Sequence, residues 1–270
     1  MILEKTIDLI NQIYRTHKII PPVIRKVVIG LGYTAVEITP FGFDPFLGLA
    51  YTLPDIIKRT NCSKIQFAGK LTSFSLNEML SWAIEPPNLR KIIGIALLNA
   101  LSQHILEIRN PHTKIKGDLI KYLGINQNST VMFVGLIKPL IAEISKITRN
   151  IRLVEKRRSP NQKFMEFTIK NDLSEIKESK KQVDYLFLTG TTLINDTIED
   201  ILTEYKAKAR KIILIGPSAS ILPDILFEFG VDIVGGMKII ESKSTIKVIA
   251  EAGGTRIFKR YGKKYNLIKE

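Results

Sequence analysis

From Thr130 onward the chain alternates short apolar runs with segments of helical period, and this alternation constrains its fold more than any other feature. The apolar runs fall at Val131 to Val134, Ile151 to Glu155, Tyr185 to Leu188, Ile212 to Ile215 and Asp232 to Val234. Helical patterns fall between them at Lys138 to Thr148, Leu193 to Tyr205, Ile221 to Phe229 and Ser244 to Ala252. Strands spaced this way pair in parallel through helical crossovers, so the spacing predicts a mainly parallel sheet with helices on its faces. Ligands of such sheets bind outside the carboxyl ends of the strands.

Two segments are built for that edge. In Asp184 to Asp200, DYLFLTGTTLINDTIED, a strand runs into Thr189-Gly190-Thr191-Thr192 and a helical pattern with Asn195 follows. In Lys211 to Phe229, KIILIGPSASILPDILFEF, a strand runs into Gly216-Pro217-Ser218 and a second helical pattern. Glycine lets a ligand approach the backbone, and a helix N-terminus carries about half a positive charge, so the pair suits an anion. The hydroxyls and amide of Thr189 to Thr192 and Asn195 also suit helix capping, but four such groups around one glycine exceed what a cap needs. Gly135 ends the first strand of this half, as a phosphate loop or a plain turn. Glu155 ends the next, where an acidic residue can accept from a ribose. The neighbours Lys156, Arg157 and Arg158 suit a phosphate or simply water.

The first half reads as a small α+β unit. Helical spacing runs from Ile2 to Tyr14 and strands are expected at Lys26 to Ile29, Tyr33 to Ile38 and Leu49 to Thr52. Ser75 to Glu78 forms a capping box, and the strongest helical pattern runs from Leu89 to Ile108. Gly30 to Ala35 matches the dinucleotide fingerprint, with Asp55 downstream. That motif needs a helix after the glycines, whereas Thr34, Val36 and Ile38 alternate and Pro40 follows, so a hairpin turn is expected.

Several chemistries are disfavoured. Ser218 and Ser220 lack a nucleophile elbow, and no histidine follows His112. His104 and Glu107 share one side of their helix, but a zinc site needs more ligands, and both read as ordinary polar-face residues. The single cysteine, Cys62, excludes an intramolecular disulfide and fits a reducing cytosol. No apolar run is long enough for a bilayer and no signal peptide is recognised, so a cytoplasmic protein without a membrane partner is expected. The net charge of +14 is spread over both halves, with a local peak from Lys146 to Arg158. It makes a nucleic-acid partner conceivable, but no aromatic interleaving accompanies it and a lysine-rich surface is favoured.

TGTTLINDTIEDIL, IGPSASILPDILFEFGVDIVGG, VVIGLGYTAVEI, GLAYT and IGIALLNAL together resemble an uncharacterised prokaryotic family. Its C-terminal domain carries the label of heavy-metal chelation. The resemblance implies a small α+β enolase N-terminal-like domain, here residues 1–115. An atypical Rossmann-like α/β domain with a mainly parallel sheet follows, here residues 116–270. It also implies a site in a cleft between the domains, formed by Thr189 to Thr192 and Gly216 to Ser218; Asn99, polar in an otherwise apolar helix, either faces that cleft or is a satisfied core amide. A metal ion is the implied cofactor or cargo, and a small anionic molecule or metal complex the implied partner. Three functions fit: binding of such a ligand, an enzyme acting on a phosphorylated or nucleotide-like substrate, and nucleic-acid association. The sequence does not choose among them, nor does it give the oligomeric state.

Overall fold

A computed structural model describes residues 1–59, 65–156, 162–171 and 182–269. Cys62, Arg157 and Arg158 lie outside them. The chain opens with α1 (Ile2–Thr16), β1 (Val23–Ile29), β2 (Tyr33–Thr39), β3 (Phe46–Tyr51), α2 (Pro54–Arg59), α3 (Leu76–Ser81) and α4 (Leu89–Ile108). Next come β4 (Thr113–Lys114), α5 (Leu119–Leu123), β5 (Val131–Val134), α6 (Lys138–Ile144), β6 (Ile151–Val154), β7 (Lys163–Phe164) and β8 (Phe167–Lys170). The last part contains β9 (Val183–Thr189), α7 (Thr191–Ile194), α8 (Ile198–Tyr205), β10 (Ala209–Ile215), α9 (Asp224–Glu228), β11 (Ile233–Ile239), α10 (Ser242–Ala250), α11 (Thr255–Phe258) and β12 (Gly262–Ile268).

β1, β2 and β3 form an antiparallel sheet in that order. The Gly30 amide donates to the Tyr33 carbonyl at 3.0 Å, closing the expected hairpin where the fingerprint would have needed a helix. The remaining strands form a nine-stranded sheet, β4-β12-β11-β10-β9-β5-β6-β8-β7. Its centre, from β11 to β8, is parallel, as the strand–helix alternation requires. β12 returns antiparallel along β11, an addition that strand–helix spacing does not announce. Three helical segments are shorter than their patterns, the first being α6, which stops at Ile144 rather than Thr148. Leu193 to Tyr205 is broken at Asn195-Asp196, where Asp196 adopts φ +57°, and Ile221 to Phe229 is ordered as a helix only from Asp224.

The two units share a core. α4 is buried on nearly every side, and its apolar residues belong to one cluster with Leu186, Leu188, Leu214 and Leu226 of the large sheet and its helices. On the other face of the small sheet, Ala35, Leu47 and Leu49 pack with Met237, Ile239, Ile249 and Phe258. The three-stranded sheet therefore lies between α4 and the C-terminal segments. α4 alone among the described residues is long and apolar enough to cross a membrane, and it is the core helix.

His104 corrects an expectation. It is fully buried rather than on a polar face, with Nδ1 2.8 Å from the Tyr14 hydroxyl and its ring against Phe43 and Phe46. Burial lowers its pKa to about 4. The folded protein therefore holds it neutral, while the unfolded chain protonates it below the ordinary histidine value of 6.5. Stability from this group is complete above that value and falls as the pH drops toward 4. Unfolding free energy from urea titrations should fall by about 2 kcal/mol from pH 7.5 to pH 5, and the fall should be largely absent in His104→Gln. A wild-type protein equally stable at both pH values would contradict this assignment.

Candidate functional site

Four strand ends meet at the carboxyl edge of the large sheet. β5 leads into Gly135, β6 into Glu155, β9 into Gly190 and β10 into Gly216. Gly135 has φ +102°, and a Cβ there would lie 2.3 Å from Thr189 Cγ2. A Cβ on Gly190 would lie 2.5 Å from the Ala219 nitrogen. These glycines thus serve close packing between adjacent loops. Their amides are also engaged: Gly135 N donates to Val154 O (2.9 Å), Gly190 N to Ile215 O (3.0 Å) and Gly216 N to Gly235 O (2.9 Å). Each extends the sheet by one bond.

The helix starts are short. Thr191 to Ile194 forms one turn, and Pro217 to Ala219 forms a 3₁₀ turn. Neither is long enough to sum a substantial macrodipole, so the expected anion attraction is weaker than the sequence pattern suggested. Thr192 Oγ1 donates to Thr189 O at 2.8 Å. Asn195, with its amide nitrogen toward the loop, donates to Thr191 O (3.2 Å), Thr192 O (3.1 Å) and Thr197 Oγ1 (2.7 Å). Thr192 and Asn195 hold the loop together. Thr189, Thr191, Glu155, Gly216 and Pro217 remain half-buried along the rim. Glu155 Oε2 accepts from Leu136 N at 3.2 Å, which ties the β6 end to the β5 loop.

The small unit closes directly on this edge. Tyr51 N donates to Ser218 Oγ at 2.9 Å, and Asn99 Nδ2 donates to Leu49 O at 2.7 Å and to Ser218 O at 3.4 Å. Asn99 and Ser218 are both buried. The loops and Asn99 are thus together, but across a packed junction rather than an open cleft. Among the described residues, Asn99 Oδ1 is buried there without a hydrogen-bond partner. A buried amide oxygen left unpaired costs about 1–3 kcal/mol, so this atom suits a donor supplied from outside the chain.

Asn99 is one member of a stripe that sequence reading only partly identified. Ser102 Oγ accepts from Leu222 N (3.0 Å), and Gln103 Nε2 donates to Ser220 O (3.0 Å) and to the Tyr265 hydroxyl (2.7 Å). Positions 99, 102 and 103 lie at helical i, i+3, i+4 spacing in an otherwise apolar helix, and that spacing was the available signal. Burial raises the Tyr265 hydroxyl to about 12, so it stays protonated. About two turns N-terminal to Asn99 on the same helix, buried Lys91 contacts Asp196 Oδ1 at 2.7 Å and Glu85 O at 2.8 Å. This ion pair joins α4 to the loop after α7.

Fold and site define a class: α/β proteins in which the strand-end loops of a mainly parallel sheet are sealed by a smaller α+β unit. The chain belongs to the DUF364 family, described as "Putative heavy-metal chelation", whose pattern matches residues 118–268. A second pattern with the same description, DUF4213, matches residues 16–102. An uncharacterised protein of Methanocaldococcus jannaschii is 28% identical over 196 residues, 72% of this chain and 71% of its own. A DUF364 protein of unknown function from Pyrococcus horikoshii has the same fold, with a TM-score of 0.77 at 21% identity over 100% of both chains. Another from Desulfitobacterium hafniense gives 0.71 at 20% identity over 98% of both.

The metal in the family description can be tested against the donors present. No three His, Cys, Asp or Glu side chains come together among the described residues. His104 is in the core, and His112 Nε2 is 3.1 Å from Asp224 Oδ2 on another face. The donors among the described residues do not suit a soft metal held by side chains alone.

Proposed function

We propose that the protein binds a small anionic or metal-linked ligand at the rim formed by Gly135, Glu155, Thr189, Thr191, Gly216 and Pro217. The unpaired buried Oδ1 of Asn99 is the observation that carries this reading. It sits where both units meet the strand-end loops, and a ligand donor or a ligand-bound water would satisfy it. The family description supports a metal-related ligand. The donor chemistry supports a metal that arrives on its own chelating molecule, with threonine hydroxyls and Glu155 contacting that molecule. A charge-assisted hydrogen bond from either threonine would add about 1.5–3 kcal/mol.

Native mass spectrometry together with elemental analysis of the freshly purified protein tests this. The expected result is a retained small molecule, with or without metal, whose occupancy falls in Thr191→Val and Asn99→Leu while thermal unfolding stays cooperative. Gly190→Val is unsuitable as a binding probe, because its side chain would strike the Ala219 backbone before any ligand. Occupancy unchanged in both variants would move the site away from this edge. Stoichiometric metal lost when His104 and His112 are replaced together would overturn the ligand-borne metal.

A further inference from the structure

Four of the exposed large apolar side chains are gathered on one face. Ile20 (64% exposed), Val23 (50%), Phe41 (83%) and Phe43 (42%) line a single groove. The groove is open, with a volume of about 700 Å³. Phe41 and Phe43 flank Gly42, whose φ of +77° makes the turn between β2 and β3. Val23 pairs with Thr39 on the face of the small sheet that also carries Ala35. Farther along, α10 and α11 cover that face, but the Val23 end is left in water.

Two charges stand in this apolar frame. The register of β1 on β2 shifts between Ile24 and Lys26, so Arg25 is the extra residue of a β-bulge. Bulges re-aim side chains, and Arg25 lines the groove. Asp44 lines it as well. Among the described residues neither one has an ion-pair partner within the chain. An enclosed site would bury roughly 70–90% of a small ligand, which an open groove does not do. A broad apolar face with one unpaired cation and one unpaired anion is complementary to its own image under a twofold axis. There Arg25 of one protomer meets the partner subunit's Asp44, and the contact occurs twice.

We propose that this face is the interface of a twofold homodimer, with Phe41 and Phe43 as apolar anchors and reciprocal Arg25–Asp44 pairs fixing the register. Sedimentation equilibrium on the full chain tests it, with circular dichroism confirming that each variant is folded. The wild type should dimerise, and Phe41→Asp should be monomeric. Arg25→Asp and Asp44→Arg should each weaken association at least about tenfold, because each sets like charges opposite one another twice. The double reversal, Arg25→Asp with Asp44→Arg, should restore the dissociation constant to within about threefold of wild type. A wild type that stays monomeric at about 100 μM would overturn the proposal. So would a dimer that survives Phe41→Asp, or a double reversal no better than the single ones.

Discussion

Alanine at Gly48 is expected to destabilise the protein by about 3 kcal/mol or more, at or above the upper end of the usual overpacking range. β3 crosses α4 at this residue, and an added Cβ would lie 1.9 Å from the Ala96 carbonyl oxygen and 2.3 Å from the Ala100 nitrogen. Both are helix backbone atoms, so no side chain can rotate away. Relief requires the sheet to lift from α4, which opens the core between them. Urea unfolding should show a lower midpoint with an unchanged slope. Gly254→Ala is the control: nothing lies within 4 Å of its Cβ position. There the change should be under about 0.5 kcal/mol, as for most surface substitutions. Equal effects at the two positions would mean that β3 and α4 are not in the contact described.

The pair between Lys91 and Asp196 should respond asymmetrically. The Lys91 side chain is 2% exposed and that of Asp196 is 47% exposed. Asp196→Asn keeps the shape and tolerates the left-handed backbone, but leaves a buried ammonium without its counter-charge. Breaking a fully buried pair costs about 3–5 kcal/mol, and the half-exposed aspartate lowers the expectation to about 2–3 kcal/mol. Lys91→Met removes the buried charge itself and keeps most of the side-chain volume. The remaining carboxylate reaches water, so this change should cost only about 1 kcal/mol. Chemical denaturation of both variants gives the comparison. A larger loss in Lys91→Met than in Asp196→Asn would show that the ion pair is not what ties α4 to this loop.

The parallel strands β5, β6, β9, β10 and β11 were legible because strands buried on both faces read as unbroken apolar runs, such as Leu186 to Leu188 and Ile212 to Ile215, whereas β8, with its alternating burial, was not. α4 was legible end to end, from Leu89 to Ile108. The hairpin at Gly30 was legible because alternation and Pro40 together outweighed a glycine motif. β12 was not, since Gly262 to Ile268 mixes lysines with apolar residues and pairs only because β11 offers an edge. The buried state of His104 was equally hidden. Its helix is apolar all round, so its sequence does not tell which side meets Tyr14 and Phe43.

At the site, local chemistry marked Thr189 to Thr192 and Gly216 to Ser218 as loops at strand ends, since glycine, proline and hydroxyl residues punctuate chains through short-range forces. What the glycines do there was decided by tertiary structure. Gly190 admits the neighbouring turn, and the loop amides are bonded to adjacent strands. Asn99, Ser102 and Gln103 each bond a residue of the Gly216 to Leu222 segment more than one hundred residues away, and Gln103 also bonds Tyr265. The sequence alone therefore determined the main helices, five central strands, their order and the edge at which a site is expected. Only the folded chain decided that the two units share a core and meet at a sealed junction. Long-range packing sets which polar groups find partners, and no local pattern encodes it.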